Sequence, residues 1–358
     1  MLDHDVMFET IDDLLGPAKQ RFFGDGYKRV DHRLTGLLSR VDERDRHIVS
    51  AAAAVGYPPD WSTKSGSNSE LRPHLSTVDA LVFAAQLGEC CLALVLGLDE
   101  GARRRAWLRS FDMKAGAAPQ ERLHDIPVEA AYSGTEPSRH VLGGHCSVVV
   151  CTVGGMRVRC EIEHEMPVCG PAGIDSWAAF PDVESILGPA STRYYGMGYR
   201  THTHVFNRLS VAAGTSRVDA GLRVERGAGA GAFLEGLCGI YQPSLAMVDS
   251  LVVLAQLAQV LMYQIDDVDR SRSNTLWMRR VSMTADAPVI PLARIMPTFV
   301  EAARSNLVSF GGGTWRTVEF FGGFPGCAGK ASLAHALPGA APVILTQRSP
   351  RSTVGATS

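Results

Sequence analysis

The stretch PHLSTVDALVFAAQLGE at residues 73–89 returns as PSLAMVDSLVVLAQLAQ at 243–259. The two run at a constant offset of 170 residues, and 73–113 set against 243–283 without a gap gives 13 identities in 41 positions. Roughly three would be expected from ordinary composition. A second pair belongs to the same duplication: LGPAKQRFFGDGYKR at 15–29 and LGPASTRYYGMGYR at 187–200, where Arg21/Arg193, Gly24/Gly196, Gly26/Gly198, Tyr27/Tyr199 and His32/His204 match at offset 172. The chain therefore reads as two copies of one unit, at 1–175 and 180–340, followed by a polar, flexible tail at 341–358.

The 358 residues are 46% hydrophobic, enough for a substantial core, and a formal charge of −2 gives no long-range field for nucleic acid or anionic lipid. The nearest approach to a basic patch is Arg103-Arg104-Arg105. Eight cysteines without CxxC pairs indicate a reduced, cytoplasmic protein, and Cys90-Cys91 sit in an apolar run where thiols act as small hydrophobes. The first residues, MLDHDVMFETIDD, lack the basic and apolar regions of a secretory signal. The longest apolar run, Leu251 to Ile265, contains three glutamines and is too short to span a bilayer, so it is expected as a buried helix, with no membrane partner.

Each unit has the same order of elements. The Pro-led helix, from Val78 to Leu96 in the first copy, is apolar on nearly every face, as an enclosed helix would be. THTHVFNRLSVAAG at 201–214 alternates enough for a strand, and SVVVCTVGGMRVRCEIE at 147–163 reads as a half-buried hairpin with a Gly-Gly turn. NLVSFGGGTWRTVEFF at 306–321 is expected to be that hairpin's counterpart. One long apolar helix flanked by antiparallel strands, twice, is a plan shared by several α+β folds, and by analogy with the hot-dog fold two tandem hot-dog-like units are expected. In such a fold an antiparallel sheet wraps around a central helix, and the units pair as a pseudo-dimer. The protein would be a pseudo-dimeric monomer or a homodimer.

Asp79 and Gln86 are seven residues apart, as are Asp249 and Gln256, so each pair shares a helical face. Either these side chains cap the helix and satisfy core backbone groups, or they line a pocket whose apolar walls raise the carboxylate pKa and make it an acid or base. His32 and His204 are the histidines matched by the repeat; a strand-end role and catalysis both fit. His74 faces Ser244 in the alignment and would mark the first copy as the active one if the copies have diverged. His145, in GGHCS, is an unmatched candidate. No metal-ligand spacing is present, since THTH lacks a third ligand, and GDGYKR is not completed as a Walker or dinucleotide motif, so no metal or nucleotide cofactor is expected. The glycines permit close backbone approach, with Arg21, Lys28, Arg193 and Arg200 supplying cations beside Tyr27 and Tyr199. The motif either packs one unit on the other or holds a phosphate.

The helix stripe resembles that of hot-dog dehydratases, whose second unit carries Pro, Asp, then Gln or His. The accompanying HxxxGxxxxP pattern is missing, because His140 has Gly144 but no Pro at the required distance. The opening motif, the repeated Pro/Asp/Gln helix and the length together resemble the bacterial avirulence protein D (AvrD) family. That resemblance implies synthesis of syringolide-type butenolide signals, in which a β-ketoacyl group on an acyl carrier protein or CoA thioester is joined to a ketose such as xylulose or its phosphate, without a further cofactor. The residues that would serve are Asp79 or Asp249 as base, assisted by His32, His204 or His74, with Gln86 or Gln256 orienting the carbonyl and Arg21/Lys28/Tyr27 or Arg193/Arg200/Tyr199 holding the sugar. Alternatives are a hot-dog dehydratase or thioesterase, or a non-catalytic acyl-binding module.

Overall fold

Serine and aspartate at the head of an apolar run start the first long helix. Ser76 is its N-cap: the Ser76 hydroxyl accepts from the Asp79 N–H at 3.1 Å, and the Asp79 carboxylate accepts from the Ser76 N–H at 2.8 Å. In the second copy Ala246 stands at the cap and has no acceptor, so only the return bond forms, from the Ala246 N–H to Asp249 Oδ2 at 3.0 Å. Both helices are 19 residues long, Thr77–Val95 and Met247–Ile265. The first therefore begins after Ser76 rather than on Pro73, which precedes the cap.

The computed structural model describes residues 5–63, 72–166, 177–212, 214, 216–227, 233–273, 276–292, 294–310 and 312–337. The expected junction near 175 and the tail at 341–358 lie outside them. The first half contains β1 (Val6–Thr10), α1 (Asp12–Leu15), β2 (Asp31–Val41), β3 (His47–Gly56), α2 (Thr77–Val95), α3 (Glu100–Arg105), β4 (Trp107–Lys114), β5 (Ile126–Pro137), β6 (His145–Val153) and β7 (Met156–His164). The second contains β8 (Trp177–Asp182), α4 (Glu184–Leu187), β9 (His202–Val211), β10 (Arg217–Arg226), α5 (Met247–Ile265), β11 (Leu276–Ala285), β12 (Met296–Phe310), β13 (Gly313–Phe324) and β14 (Cys327–Ala336).

All fourteen strands belong to one sheet, ordered β1-β9-β10-β12-β13-β14-β11-β4-β7-β6-β5-β3-β2-β8. Read from the outside to the middle, β2-β3-β5-β6-β7-β4 and β9-β10-β12-β13-β14-β11 are the same arrangement. The halves join where β4 pairs with β11, and there Asp112 lies opposite Ser282, its own counterpart at offset 170. A local two-fold axis therefore passes through that pair. The outermost strands are exchanged: β1 pairs with β9 of the second half, and β8 with β2 of the first.

The hairpin at 147–163 forms as β6 and β7, with Val153 opposite Met156 around Gly154 and Gly155. Its inward residues Val158, Cys160 and Ile162 are fully buried. Residues 306–321 form the β12–β13 hairpin, which is the counterpart of β5–β6 and not of β6–β7. The true counterpart of 147–163 is β13–β14.

Helix α2 is enclosed almost completely: Leu81, Phe83, Leu87 and Leu92 show no exposure. Truncating a residue such as Phe83 to alanine should cost about 3–5 kcal/mol. On length and composition α2 and α5 could each cross a membrane, which corrects the expectation that the second is too short. Instead, 83% and 72% of their most apolar windows are buried against the protein's own strands. Arg103 is likewise no surface patch; its guanidinium reaches Leu98 O at 2.8 Å and Glu89 at 3.4 Å in the interior. The seven cysteines among the described residues are free thiols.

Candidate functional site

The repeated opening motif folds the same way twice. The carbonyl of Arg21 accepts from the N–H groups of Gly24 and Gly26 at 3.2 and 3.1 Å, and that of Arg193 accepts from Gly196 and Gly198, both at 3.2 Å. Glycine is required for contact: a Cβ on Gly24 would collide with the Ala18 carbonyl, and one on Gly196 with the Ala190 carbonyl. Because these N–H groups are spent inside the loop, they form no anion cradle. Arg21 is 3% exposed and bonds Asp12 at 2.5 Å and Gln256 of α5 at 3.0 Å. Gln86 of α2 donates to the carbonyl of Tyr195 at 3.1 Å. Arg193 is 1% exposed, with its Nε on Gly188 O at 3.1 Å, and its charge acts on Glu89 of α2. Each copy's loop thus packs on the other copy's central helix, and Arg21, Arg193, Gln86 and Gln256 tie the halves together.

The tyrosine that ends each loop reaches farther. Tyr27 and Tyr199 stack with ring centroids 6.3 Å apart, with the Lys28 ammonium 5.9 Å from the Tyr27 centroid and the Arg200 guanidinium 5.5 Å from that of Tyr199. Tyr199 crosses to the first half and meets His32 Nδ1 at 3.1 Å, while Arg200 Nε donates to the same hydroxyl at 3.3 Å. His32, on β2, places Nε2 at 2.7 Å from Asp79 Oδ1. Asp79 Oδ2 also accepts from the Tyr57 hydroxyl. The carboxylate takes the His32 Nε2–H, which leaves Nδ1 as acceptor for the Tyr199 O–H. Asp79, His32, Tyr199 and Arg200 form one chain of hydrogen bonds that passes from one half to the other.

The second half repeats the Asp–His pair and adds to it. Asp249 meets His204 Nε2 at 3.0 Å, His202 Nδ1 at 3.1 and 3.2 Å, and the Tyr194 hydroxyl at 2.6 Å. His202 and His204 alternate on β9 and so share a face. Lys28 comes from the first half, with Nζ 3.2 Å from Thr203 Oγ1 and 2.8 Å from Asp25. The Tyr27 hydroxyl is fully buried and has no hydrogen-bond partner among the described residues.

Both carboxylates are 0% exposed, and the sign of their pKa shift differs from the one expected for an apolar pocket. Burial alone would raise Asp79, but the hydrogen bond and charge of His32 and the donors Tyr57 and Ser76 outweigh it and hold Asp79 below the usual carboxylate range. Asp249 is lowered too, because His202 and His204 together overcome its burial. Their own shifts diverge. Burial opposes the charge on both rings; the charge and hydrogen bond of Asp249 prevail at His202 and raise it, whereas at His204 burial wins, helped by Lys28 and His202, and lowers it. Burial pushes Tyr199 up to about 12.

His74 does not join this cluster. Its ring stacks on Trp277 at 6.0 Å, its Nδ1 lies 3.2 Å from Arg72 O, and only its backbone carbonyl takes part, accepting from Tyr57 at 2.9 Å. Its side chain is thus not among the groups that reach Asp79. His145 stacks at 6.3 Å on His164, away from either carboxylate. Shallow grooves lined by Leu38, Ser50 and Glu129, and by Arg46, Tyr132 and Arg157, include none of the cluster.

The matches to known proteins agree with the opening motif. Residues 6–338 match the family model of the Pseudomonas avirulence D protein (AvrD). The chain belongs to the AvrD family. No curated protein matches it significantly. Among solved structures it is similar to a conserved protein of unknown function with hot dog fold from Alicyclobacillus acidocaldarius, at 12% identity and a TM-score of 0.33, covering 90% of this chain and 98% of that one. It is similar to a putative thioesterase from Novosphingobium aromaticivorans, at 13% identity and TM-score 0.34, covering 84% and 98%. It is also similar to the dehydratase domain of the polyketide PpsC from Mycobacterium tuberculosis, at 8% identity and TM-score 0.36, covering 83% and 96%.

Proposed function

We propose that this AvrD-family chain is a soluble, cytoplasmic acyl-thioester enzyme that joins a β-ketoacyl group, carried on an acyl carrier protein or CoA, to a ketose or ketose phosphate and closes a butenolide-type lactone. Its two halves, 1–175 and 180–340, are hot-dog-like units paired as a pseudo-dimer, a reading supported by the repeated strand order and the enclosed helix in each half. The observation that carries the functional reading is the pair of Asp–His couples at the boundary between the halves, each ring held at Nε2 by a carboxylate from a helix start: His32 on Asp79 at 2.7 Å and His204 on Asp249 at 3.0 Å. A histidine anchored in this way keeps its opposite nitrogen as a base of fixed direction.

The chemistry needs two proton transfers. In the first, the base takes the proton of a ketose hydroxyl as its oxygen attacks the thioester carbonyl carbon; the C–S bond breaks, and the thiolate leaves and is protonated. In the second, the carbon between the two carbonyls of the new ester loses a proton and attacks the ketose carbonyl, and loss of water gives the unsaturated ring. Lys28 and Arg200, beside the tyrosines, offer positive charge to the sugar partner or to a developing oxyanion. The test is thiol release from a β-ketoacyl pantetheine thioester with and without xylulose phosphate or dihydroxyacetone phosphate. Release that requires the ketose supports the reading; equal release without it identifies a thioesterase instead.

A further inference from the structure

The two Asp–His couples are not equivalent, and the difference lies in one hydrogen bond. In the first half Nδ1 of His32 is already engaged by the Tyr199 hydroxyl at 3.1 Å, and that hydroxyl also accepts from Arg200. The local two-fold axis sets Tyr27 against the second half as Tyr199 is set against the first, with Tyr27 and Tyr199 stacked across it. Yet the Tyr27 hydroxyl, 0% exposed, has no hydrogen-bond partner among the described residues, although the Asp249 charge acts on it. Leaving a hydroxyl buried and unpaired is unfavourable, and such groups in native structures call for an explanation. Its counterpart in the repeat shows what the hydroxyl is oriented to do.

The second half also carries what the first lacks. Where His202 stands, the first copy has Val30; where Tyr194 stands, it has Phe22. Asp249 therefore holds two imidazoles on one strand face at 3.0 to 3.2 Å, and each keeps one ring nitrogen that Asp249 does not use. Lys28 bridges to Thr203, the residue between them, at 3.2 Å, and its charge acts on both rings.

We propose that the second half holds the working site: a substrate hydroxyl, that of the ketose or of the enolised β-ketoacyl group, sits between the Tyr27 hydroxyl, which donates to it, and the His204 nitrogen opposite Asp249, which takes its proton, with His202 as the second proton carrier. In the first half the Tyr199–His32 hydrogen bond fills the equivalent place and ties the halves together. The assignment rests on the acyl-thioester reading above. It makes Tyr27, contributed by the first half, a catalytic residue of the second. It also gives the pair His202/His204 the acid and base roles that ester formation and ring closure require in turn.

Two measurements on the full chain test this. In thiol release, D249N and Y27F are each expected to lose about 100-fold, and D79N and Y199F less than tenfold. Y27F keeps the assay interpretable should D249N fail to fold, because its hydroxyl makes no bond in the free protein. The second readout needs no turnover: histidine-labelled protein is titrated with a β-ketoacyl pantetheine analogue in which a methylene replaces the thioester sulfur. His204 and His202 resonances are expected to shift while His32 does not, and Y27F is expected to weaken binding. Larger losses in D79N and Y199F, equal losses in both pairs, or ligand shifts at His32 would each overturn the assignment. Ketose-independent hydrolysis that D249N and Y27F abolish would overturn the condensing reaction and leave the assignment standing. A wild-type protein that neither releases thiol nor binds the analogue overturns both.

Discussion

Removing one hydroxyl from each of the stacked tyrosines should move stability in opposite directions. In Tyr199→Phe the protein loses the bond to His32 Nδ1 at 3.1 Å and the one accepted from Arg200 at 3.3 Å, and the imidazole, whose side chain is 3% exposed, is left with an unpaired nitrogen. That should cost about 1–3 kcal/mol. In Tyr27→Phe the ring stays stacked and fully buried, and the atom removed has no hydrogen-bond partner. The buried hydroxyl no longer has to be desolvated, so Tyr27→Phe should be neutral or stabilising by about 1 kcal/mol. The expected gap between the two variants is therefore about 1–4 kcal/mol, readable as a difference in urea midpoint followed by circular dichroism under one set of conditions. A more stable Tyr27→Phe with lower turnover is what a polar group kept for substrate would give. Equal destabilisation of the two variants would refute the reasoning, because the two hydroxyls would then be bonded alike.

Acid should unfold the protein through its paired carboxylates: Asp79 and Asp249 lie below the ordinary range when folded and near 4 when unfolded. Their contribution is therefore complete above about pH 4 and lost as pH falls through the folded values, and D249N should flatten that acid limb in a stability-versus-pH series. Gly24→Ala and Gly196→Ala each set a Cβ against a backbone carbonyl six residues earlier, so both should lower the urea midpoint strongly and by similar amounts. The caps differ: Ser76→Ala should cost about 1 kcal/mol, whereas Ala246→Ser supplies a missing acceptor and should add about 0.5–1 kcal/mol, both measured by denaturation.

Much of the architecture was legible because duplication leaves two independent readings of each element. The gap-free match over the central helix placed α2 and α5 within a few residues, and the alternation around Gly154 and Gly155 gave the β6–β7 hairpin. Exchange of β1 and β8 between the halves was not legible, since a strand's partner across the sheet leaves no trace in its own pattern. The site was legible in part for the same reason. His32/His204 and Asp79/Asp249 are each matched by the repeat, but that the histidines pair with the aspartates depends on β2 and β9 passing the helix starts. THTH shows that His202 and His204 share a strand face, but that both reach Asp249, 47 and 45 residues away, depends on β9 passing the start of α5. Tyr57 and Tyr194 were missed because their counterparts, Gly227 and Phe22, carry no polar group to repeat. The raised carboxylate pKa expected from apolar surroundings was reversed by donors that only the tertiary fold delivers.

The mass of the product formed by the wild-type protein from a β-ketoacyl pantetheine thioester and a ketose phosphate tests the central claim most directly. The account requires a species containing both the acyl and the ketose carbons and lighter by the water lost on ring closure, appearing in step with free thiol. Accumulation of the free β-keto acid, with the ketose phosphate unchanged, would contradict it.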